Sequence, residues 1–335
     1  MVQRTRRREL LGSIGILGTV GLAGCVESAD EGGDDESDDE SEDDGGSGGG
    51  ETLNWWAGGS SGTYYPLSNE FKGIVEDATD YSLQVKSTGA SVENVGGLAS
   101  GEANFGVIQN DIASFALNGE GIDDFDGEPV ENLRGVATLY PESITVVTQA
   151  DSDIETLEDM EGARINTGDT GSGTQVDALS ILRAVGIEEG DFEEENSGFG
   201  TASDQISNGD IDAAFVVGGY PVGAIEELAQ SSDIRIIEIS GETREAIKDE
   251  ASFFADETIP GGTYEGVDED VETVAVMAMI ATREEESAEM VEAVTGAIFD
   301  NTDELSTKSD DISRDSAQEG MSIDLHEGAA AYFDE

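Results

Sequence analysis

The chain is poor in several residue types, and each shortage excludes a class of chemistry. Cys25 is the only cysteine among 335 residues, so no disulfide can form within the chain and no cysteine-based metal site is possible. Lys and Arg number 15 against 76 Asp and Glu, which gives a formal net charge of −61. Nucleic acid is therefore excluded as a partner, because binding it requires Lys and Arg to neutralise phosphates.

The excess of acidic residues is typical of a surface adapted to salt. A hydrophobic content of 37% still suffices for a folded core, so the charge does not indicate a disordered chain. Acidic proteins stay soluble where salt screens their self-repulsion. The composition therefore predicts an extremely halophilic source, and it describes the environment of the protein rather than its function.

The N-terminus predicts export and lipidation. Residues 7–8 form a twin-arginine pattern, which is a receptor-read address. An apolar, glycine-rich run from Leu10 to Gly24 follows, and it is too short to span a bilayer as a helix. The run leads into Leu-Ala-Gly-Cys, which resembles a lipobox ending at Cys25. Residues 1–25 thus read as a lipoprotein signal, with the mature protein anchored by lipid on the outer face of the cell membrane.

A tether is predicted after the signal. Residues 26–50 are almost wholly Asp, Glu, Ser and Gly. Such a segment cannot bury apolar area and its charges repel one another, so we expect an extended, disordered linker. The globular part of the chain then begins at residue 51.

Short apolar strands alternate with amphipathic helices from Leu53 onward. The strands are predicted at 53–57, 82–86, 104–109, 134–140, 144–149, 163–166, 212–217, 234–239 and 271–281. The helices are predicted at 64–78, 92–100 (capped by Ser91 and closed by Gly101), 111–117, 174–185, 221–229 and 286–299. This alternation predicts an α/β fold with a mostly parallel sheet.

Two long apolar strands, 144–149 and 271–281, enclose a self-contained α/β set of elements. They are natural crossings between two lobes, one formed by 51–145 and 275–335 and the other by 146–274. Ligands in such folds bind at the carboxyl ends of strands, in the crevice between the lobes. The glycine-rich stretches of the sequence fall at those ends.

The loops at the strand ends combine small residues, hydroxyls and the start of a helix. The first turn of a helix carries free N–H groups and a partial positive charge, so it accepts a carboxylate without any lysine. Helix capping by Ser and Thr is the better explanation of each loop taken singly, and the recurrence of the pattern at six strand ends is what favours a ligand site. The predicted ligand-binding residues are Gly59, Ser60, Ser61, Gly62, Thr63, Tyr64, Thr88, Ser91, Gln109, Asp111 and Tyr140 from one lobe, with Ser172, Gly173, Thr174, Tyr220 and Pro221 from the other.

Asp111 has two interpretations. An ionised carboxylate cannot hold the carboxylate of a ligand, so Asp111 suits an ammonium or hydroxyl group and would favour an amino acid. It is equally suited to orienting the loop around Gln109. Amino acid, keto acid and C4 diacid ligands all suit a site made of hydroxyls and amides.

The ordered set of motifs resembles the TAXI family of TRAP-transporter solute receptors. The motifs include GGSSGTYYP at 58–66, STGASVEN at 87–94, GSGT at 171–174, GGYP at 218–221 and LHEGAAAYF at 325–333. The resemblance covers nearly all of 51–335. It implies a two-lobed periplasmic-binding-protein fold with two crossing strands, and a small organic acid ligand such as glutamate, 2-oxoglutarate or a similar dicarboxylate. It also implies a TRAP permease, driven by an ion gradient, as the membrane partner. Glu327 stands where the family usually has proline.

Other readings of the motifs have less support. Gly58 to Gly62 reads G-x-S-x-G, the turn that exposes a nucleophilic serine in α/β-hydrolases, and the single histidine, His326, follows in the expected order. However, Ser60 follows the first globular strand, and no separate oxyanion-loop signature occurs, so catalysis is not expected. No P-loop lysine and no complete calcium loop are present, so neither cofactor nor metal is predicted. A free-standing sensory lipoprotein of the same fold is the second function that the sequence leaves open.

Overall fold

The computed structural model of the protein describes residues 50–122 and 124–334. The predicted signal, Cys25 and the tether up to residue 49 lie outside the described residues. All described residues belong to one compact unit that spans 48–335. Within the described ranges, no helix has the length and apolar character needed to cross a bilayer.

Ten strands and nine α-helices follow one another along the described chain. The strands are β1 (Thr52–Trp56), β2 (Ser82–Lys86), β3 (Phe105–Gln109), β4 (Leu133–Gln149), β5 (Arg164–Asn166), β6 (Glu193–Glu195), β7 (Ala213–Gly218), β8 (Ile234–Ile237), β9 (Ala255–Ile259) and β10 (Val271–Arg283). The helices are α1 (Tyr64–Ala78), α2 (Ser91–Ser100), α3 (Asn110–Asn118), α4 (Gly173–Ala184), α5 (Phe199–Asn208), α6 (Gly223–Ser231), α7 (Gly241–Glu250), α8 (Ala288–Asp300) and α9 (Glu327–Asp334).

The strands form one curled sheet in the order β2-β1-β3-β10-β4-β7-β5-β6, with β9 pairing β10 and β8 pairing β4. At one end, β1 is parallel to both β2 and β3. At the other end, β5 is parallel to both β6 and β7. The two long central strands, β4 and β10, are antiparallel to each other and to their outer neighbours.

Separate apolar cores lie at the two ends of the sheet. One end packs residues of β1, β3, α1, α2, α3 and α8 on the two faces of the sheet. The other packs residues of β5, β7, β8, α4, α5, α6 and α7. We call these lobe 1 (β1–β3, α1–α3, α8 and α9) and lobe 2 (β5–β9 and α4–α7); β4 and β10 cross between them. The sequence-based residue bounds of the lobes stay a prediction.

Local sequence explains why the elements that lead to the cleft form. Helix α1 buries Leu67, Phe71, Ile74 and Val75 on one face, as their spacing predicts. Helix α2 ends at Gly101, which has a φ of 75° and closes the helix in the left-handed conformation that glycine adopts without strain. These helices therefore start at loops that are fixed between a strand and a well-packed helix.

The sequence reading differs from the structure at β4. Two separate strands, 134–140 and 144–149, were expected because Pro141 interrupts the apolar pattern. The structure instead has one strand of 17 residues that continues through Pro141. Pro141 lies opposite Met277, beside a shift of register in the β4–β10 pair. The strand therefore accommodates the missing N–H at an irregular part of the ladder.

Candidate functional site

A cavity of about 60 Å³ lies between the two lobes. This is roughly four to six times the least space that one buried water requires, so the cavity suits a small molecule. Its lining residues are Gly58, Gly59, Ser61, Gly62, Thr63, Tyr64, Thr88, Gly89, Ala90, Ser91, Gln109, Glu142, Asp169, Ser172, Gly173, Thr174, Gly198, Phe199 and Val217.

Four helices begin at the cavity wall. Their first residues are Tyr64 of α1, Ser91 of α2, Gly173 of α4 and Phe199 of α5, and all four line the cavity. Each helix start presents N–H groups that have no partner inside the helix, together with a partial positive charge. The cavity can therefore hold an anion from both lobes without a basic side chain.

The structure distinguishes helix capping from ligand binding at these loops. Ser172 is a cap, because its hydroxyl accepts a hydrogen bond from the Gln175 N–H at 3.1 Å. In α1, α2 and α5 the residue before the helix provides no side-chain cap. The Thr63 hydroxyl instead donates to the Gly219 carbonyl of lobe 2 at 3.2 Å. The first N–H groups of α1 and α2 thus lack a side-chain cap, whereas in α5 the Gly200 N–H donates to a side chain of lobe 1.

Further hydrogen bonds join the lobes around the cavity. The Gly200 N–H of lobe 2 donates to the Ser61 hydroxyl at 3.1 Å. The Lys308 ammonium, which follows α8 in lobe 1, donates to the Tyr220 carbonyl at 2.9 Å. Since these bonds connect opposite walls, the structure shows the lobes in contact with each other.

Glu142 is a buried carboxyl group in the cavity wall. Only 2% of its surface is exposed, and Tyr64 donates a hydrogen bond to its Oε2 at 2.6 Å. Burial raises the pKa of Glu142 to about 8, although the bond from Tyr64 opposes this rise. Burial, reinforced by the Glu142 charge, raises the pKa of Tyr64 well above its ordinary value. Tyr64 therefore stays protonated and holds the Glu142 carboxyl in place.

The charged residues of the lining are all acidic. Glu142 and Asp169 line the cavity, and no Lys, Arg or His is among the lining residues. Burial also raises the pKa of Asp169, and the nearby Glu93 charge adds to the rise. Within the described part of the chain, no three His, Cys, Asp or Glu side chains form a group suited to a metal ion.

The cavity brings together most of the residues singled out from the sequence. Those that line it are Gly59, Ser61, Gly62, Thr63, Tyr64, Thr88, Ser91, Gln109, Ser172, Gly173 and Thr174. Those outside the lining are Ser60, Asp111, Tyr140, Tyr220 and Pro221. Contact of any of these side chains with a ligand stays a prediction.

Asp111 lies behind the cavity wall, where it faces Asp177 of lobe 2. Both carboxyls are buried, and no described group donates a hydrogen bond to an oxygen of either one within ordinary geometry. Burial raises the pKa of Asp111 to about 7 and that of Asp177 well above its ordinary value. The nearby Asp111 charge raises the Asp177 pKa further, so the pair carries at least one proton below about pH 7.

Tyr140 and Tyr220 lie beside the cavity rather than in its lining. Tyr140 is fully buried, and its hydroxyl has no hydrogen-bond partner among the described residues. The Lys308 ammonium lies 4.6 Å from the centre of the Tyr220 ring and 5.6 Å from that of Tyr140. These tyrosines thus pack against a cation that joins the lobes.

Ser60 and His326 do not form a catalytic pair. Ser60 is exposed, whereas His326 is buried at the start of α9. The His326 Nδ1 accepts a hydrogen bond from the Gly328 N–H at 3.1 Å. Its Nε2 has no hydrogen-bond partner among the described residues, so no bond links it to Ser60. This geometry lacks the serine–histidine contact that nucleophilic catalysis requires.

Sequence reasoning missed several cavity residues. Glu142 lies in a stretch that was read as a strand end, and only the unbroken course of β4 places its side chain at the cavity. Phe199 begins α5 and Gly198 precedes it, and this helix was not predicted because its apolar residues are few. An acidic residue at a predicted strand end is ordinarily exposed, so the sequence carried no signal for the burial of Glu142.

We predict different effects for the two neighbouring serines. Ser61→Ala removes the acceptor of the Gly200 N–H, a neutral bond between lobes that is worth about 0.5–1.5 kcal/mol. Ligand affinity should weaken about two- to tenfold. Ser60→Ala, at an exposed position outside the lining, should change affinity less than about twofold. Titration calorimetry of both variants checks this, and a larger loss for Ser60→Ala would contradict the lining described above.

Comparison with known proteins gives one family and many similar folds. The family model described as the NMT1-like family matches residues 56–335. The binding protein component of an ABC phosphonate transporter from Pseudomonas aeruginosa is 12% identical, with 79% of this chain and 80% of that chain covered and a TM-score of 0.54. The alkanesulfonate-binding protein from Xanthomonas axonopodis pv. citri, bound to MOPS, is 14% identical, with 77% and 78% covered and a TM-score of 0.46. The predicted two-lobed α/β fold of periplasmic binding proteins is confirmed.

Proposed function

This chain belongs to the NMT1-like family, and from this membership and its interlobe cavity we propose that it is an extracytoplasmic solute receptor. The observation that carries the proposal is the convergence of four helix starts, two from each lobe, on one cavity whose lining has no basic side chain. Such a cavity binds the carboxylate of a small organic acid, such as glutamate, 2-oxoglutarate or a similar dicarboxylate.

Binding would proceed by closure of the lobes. A ligand that contacts both walls stabilises the closed arrangement relative to an open one, so it shifts the population toward closure. Ser61 and Thr63 of lobe 1 already bond to lobe 2 beside the cavity, and these bonds form only when the lobes meet. The bound acid is held and released unchanged, because no nucleophile–base pair is present among the described cavity residues.

The partner that we propose is a TRAP permease. The motifs that resemble the TAXI family support this assignment, while the ABC phosphonate transporter component among the similar structures shares only the fold. A receptor of this kind delivers the acid to a membrane permease that is driven by an ion gradient. A gene for a TRAP permease beside the gene for this chain would support the pairing, and an ABC permease gene in that place would contradict it.

We further propose that lipid on Cys25 anchors the receptor at the outer face of the cell membrane. The support is the sequence of residues 1–25, with its twin arginines and its lipobox-like end. The acidic segment that follows would let the receptor reach a permease in the same membrane. Retention of a Cys25→Ser variant in the washed membrane fraction would contradict this anchor.

The receptor assignment is tested by identifying what the protein binds. The full-length protein is purified in high salt, analysed by native mass spectrometry, and then titrated calorimetrically with amino, keto and dicarboxylic acids. We expect one small acid per chain, recovered with unchanged mass after incubation. Failure of every acid to bind at millimolar concentration, or covalent labelling of Ser60 by a fluorophosphonate, would overturn the assignment.

A further inference from the structure

Two of the residues that line the cavity are acidic. Glu142 is buried, whereas Asp169 is partly exposed. Tyr64 donates to Oε2 at 2.6 Å, which leaves Oε1 to accept a hydrogen bond from a bound molecule. The Glu142 side chain is thus a fixed acceptor within the wall of the cavity.

A second buried acceptor lies in the same wall. Gln109 is 3% exposed and lines the cavity, and its Oε1 has no hydrogen-bond partner among the described residues. A buried amide oxygen without a partner is costly unless a bound group satisfies it. The Gln109 Oε1 lies against Gly173, however, so Glu142 is the acceptor that a hydrogen-bond donor of the ligand can reach at this end.

At the other side of the ligand, the helix starts favour an anionic group rather than a hydrogen-bond donor. Ser172 accepts a hydrogen bond from one N–H at the start of α4 and Ser61 from one at the start of α5; the other N–H groups in the first turns of α1, α2, α4 and α5 favour an anionic group. A molecule that satisfies both sets of groups carries a carboxylate and an ammonium a few bonds apart.

We propose that Glu142 determines ligand specificity by accepting the ammonium group of an α-amino acid, whose carboxylate lies at the helix starts. This inference rests on the proposed receptor function and narrows its ligand class. A plain diacid or a keto acid would place a carboxylate or carbonyl oxygen against Glu142, where no basic lining residue compensates it. The sequence suggested that Asp111 holds an ammonium group of the ligand. We assign this role to Glu142 instead, because Asp111 lies outside the lining.

The protonation of Glu142 should make the relative affinity for amino acids and keto acids depend on pH. An ammonium beside Glu142 favours its ionised form, while a carboxylate beside it favours the protonated form. Raising the pH from 6 to 8, toward the pKa of about 8, should therefore favour amino acids over keto acids. The groups that face or act on Glu142 from the surrounding elements are Tyr64, Gln109, Asp111, Tyr140, Asp177 and Lys308.

These neighbouring groups affect the binding of every ligand that closes the lobes. The ratio of the affinities for an amino acid and for its keto partner therefore cancels their contribution. The full-length protein is titrated with alanine and pyruvate, aspartate and oxaloacetate, and glutamate and 2-oxoglutarate at pH 6, 7 and 8. We expect one amino acid to bind at least about tenfold more tightly than its keto partner at pH 8. The affinity ratio of this pair should rise about ten- to a hundredfold from pH 6 to pH 8.

Two isosteric variants separate the carboxyls of the cavity. Glu142→Gln should weaken amino acid binding about ten- to a hundredfold and keto acid binding less than about threefold, and it should abolish the pH dependence of the ratio. Asp169→Asn tests the other acidic lining residue, and Asp249→Asn, at an exposed position outside the lining, is the control that should leave the ratio unchanged. Thermal melting without ligand checks that each variant folds, and Tyr64→Phe, which keeps the carboxyl, should move the rise of the ratio to higher pH.

The outcomes distinguish this inference from the receptor assignment. Equal or tighter binding of the keto acid, a ratio that falls with pH, or a loss confined to Asp169→Asn would overturn the inference alone. Failure of all six acids to bind, together with failure of the wider panel of acids, would overturn the receptor assignment as well.

Discussion

Gly173→Ala is expected to weaken ligand binding about ten- to a hundredfold. Gly173 opens α4 in lobe 2, and a Cβ atom there would lie 1.6 Å from Oε1 of Gln109 and 3.1 Å from Oγ of Ser91 in lobe 1. Extra atoms in a packed interior cost about 1–3 kcal/mol, because side chains must leave their preferred positions. This cost falls on the closed arrangement alone, since Gly173 meets Gln109 only when the lobes touch. Affinity measured by calorimetry should therefore fall.

A matched substitution and a double mutant test this explanation. Gly96→Ala in α2 adds the same methyl group where no atom lies within 4 Å, so affinity should stay within about twofold. Shortening Gln109 to Ala removes the clashing atoms, so adding Gly173→Ala to Gln109→Ala should cost much less than Gly173→Ala alone. Full additivity of the two changes would contradict a steric origin.

Asp111→Asn is expected to stabilise the ligand-saturated protein at pH 8 by about 2–4 kcal/mol. Burial raises the pKa of Asp111 from 3.8 to about 7. Between these pH values the folded protein keeps a proton that the unfolded chain has already released. Stability is therefore lost as pH rises through this window, at about 1.4 kcal/mol per pKa unit for an isolated group. A neutral amide of similar shape removes this loss.

The dependence on pH identifies the effect as one of ionisation. The stability gained by Asp111→Asn should be small at pH 4, where Asp111 is still protonated, and should grow up to about pH 7. Denaturant unfolding of the wild type and the variant at both pH values provides the measurement. Asp249→Asn, at an exposed position, should change stability by less than about 0.5 kcal/mol. An equal gain at pH 4 and pH 8 would show that ionisation of Asp111 is not the cause.

Sequence patterns predicted the elements whose signals are local. Helix α1 has the predicted bounds of 64–78, because its apolar spacing is regular and Pro66 stands in its first turn. Strand β2 also has its predicted bounds, 82–86. The strand–turn–helix pattern likewise located the loops that meet at the cavity, since strands of one direction bring their carboxyl ends to the same edge.

The features that sequence patterns did not predict depend on contacts between residues that are distant in the chain. Helix α7 has only Ile247 buried, so its sequence carries almost no apolar periodicity. The difference between Ser60 and Ser61 arises from the exact course of one turn, which composition does not determine. Glu142, Asp111 and Asp177 are separated by tens of residues, and their burial together results from the meeting of the lobes.

The irregular pairing of β4 with β10 has a mechanical consequence. Apolar residues up to Tyr140 of β4 and from Ala278 of β10 belong to a core of lobe 1, whereas Ile144 and Val276 belong to a core of lobe 2. The crossover thus coincides with Pro141 and the adjacent shift of register, where the ladder is weakest. A rotation of one lobe against the other would concentrate there as a hinge with one main axis. Glu142 follows Pro141 in the chain. A ligand bound to Glu142 would therefore act on the backbone at this hinge.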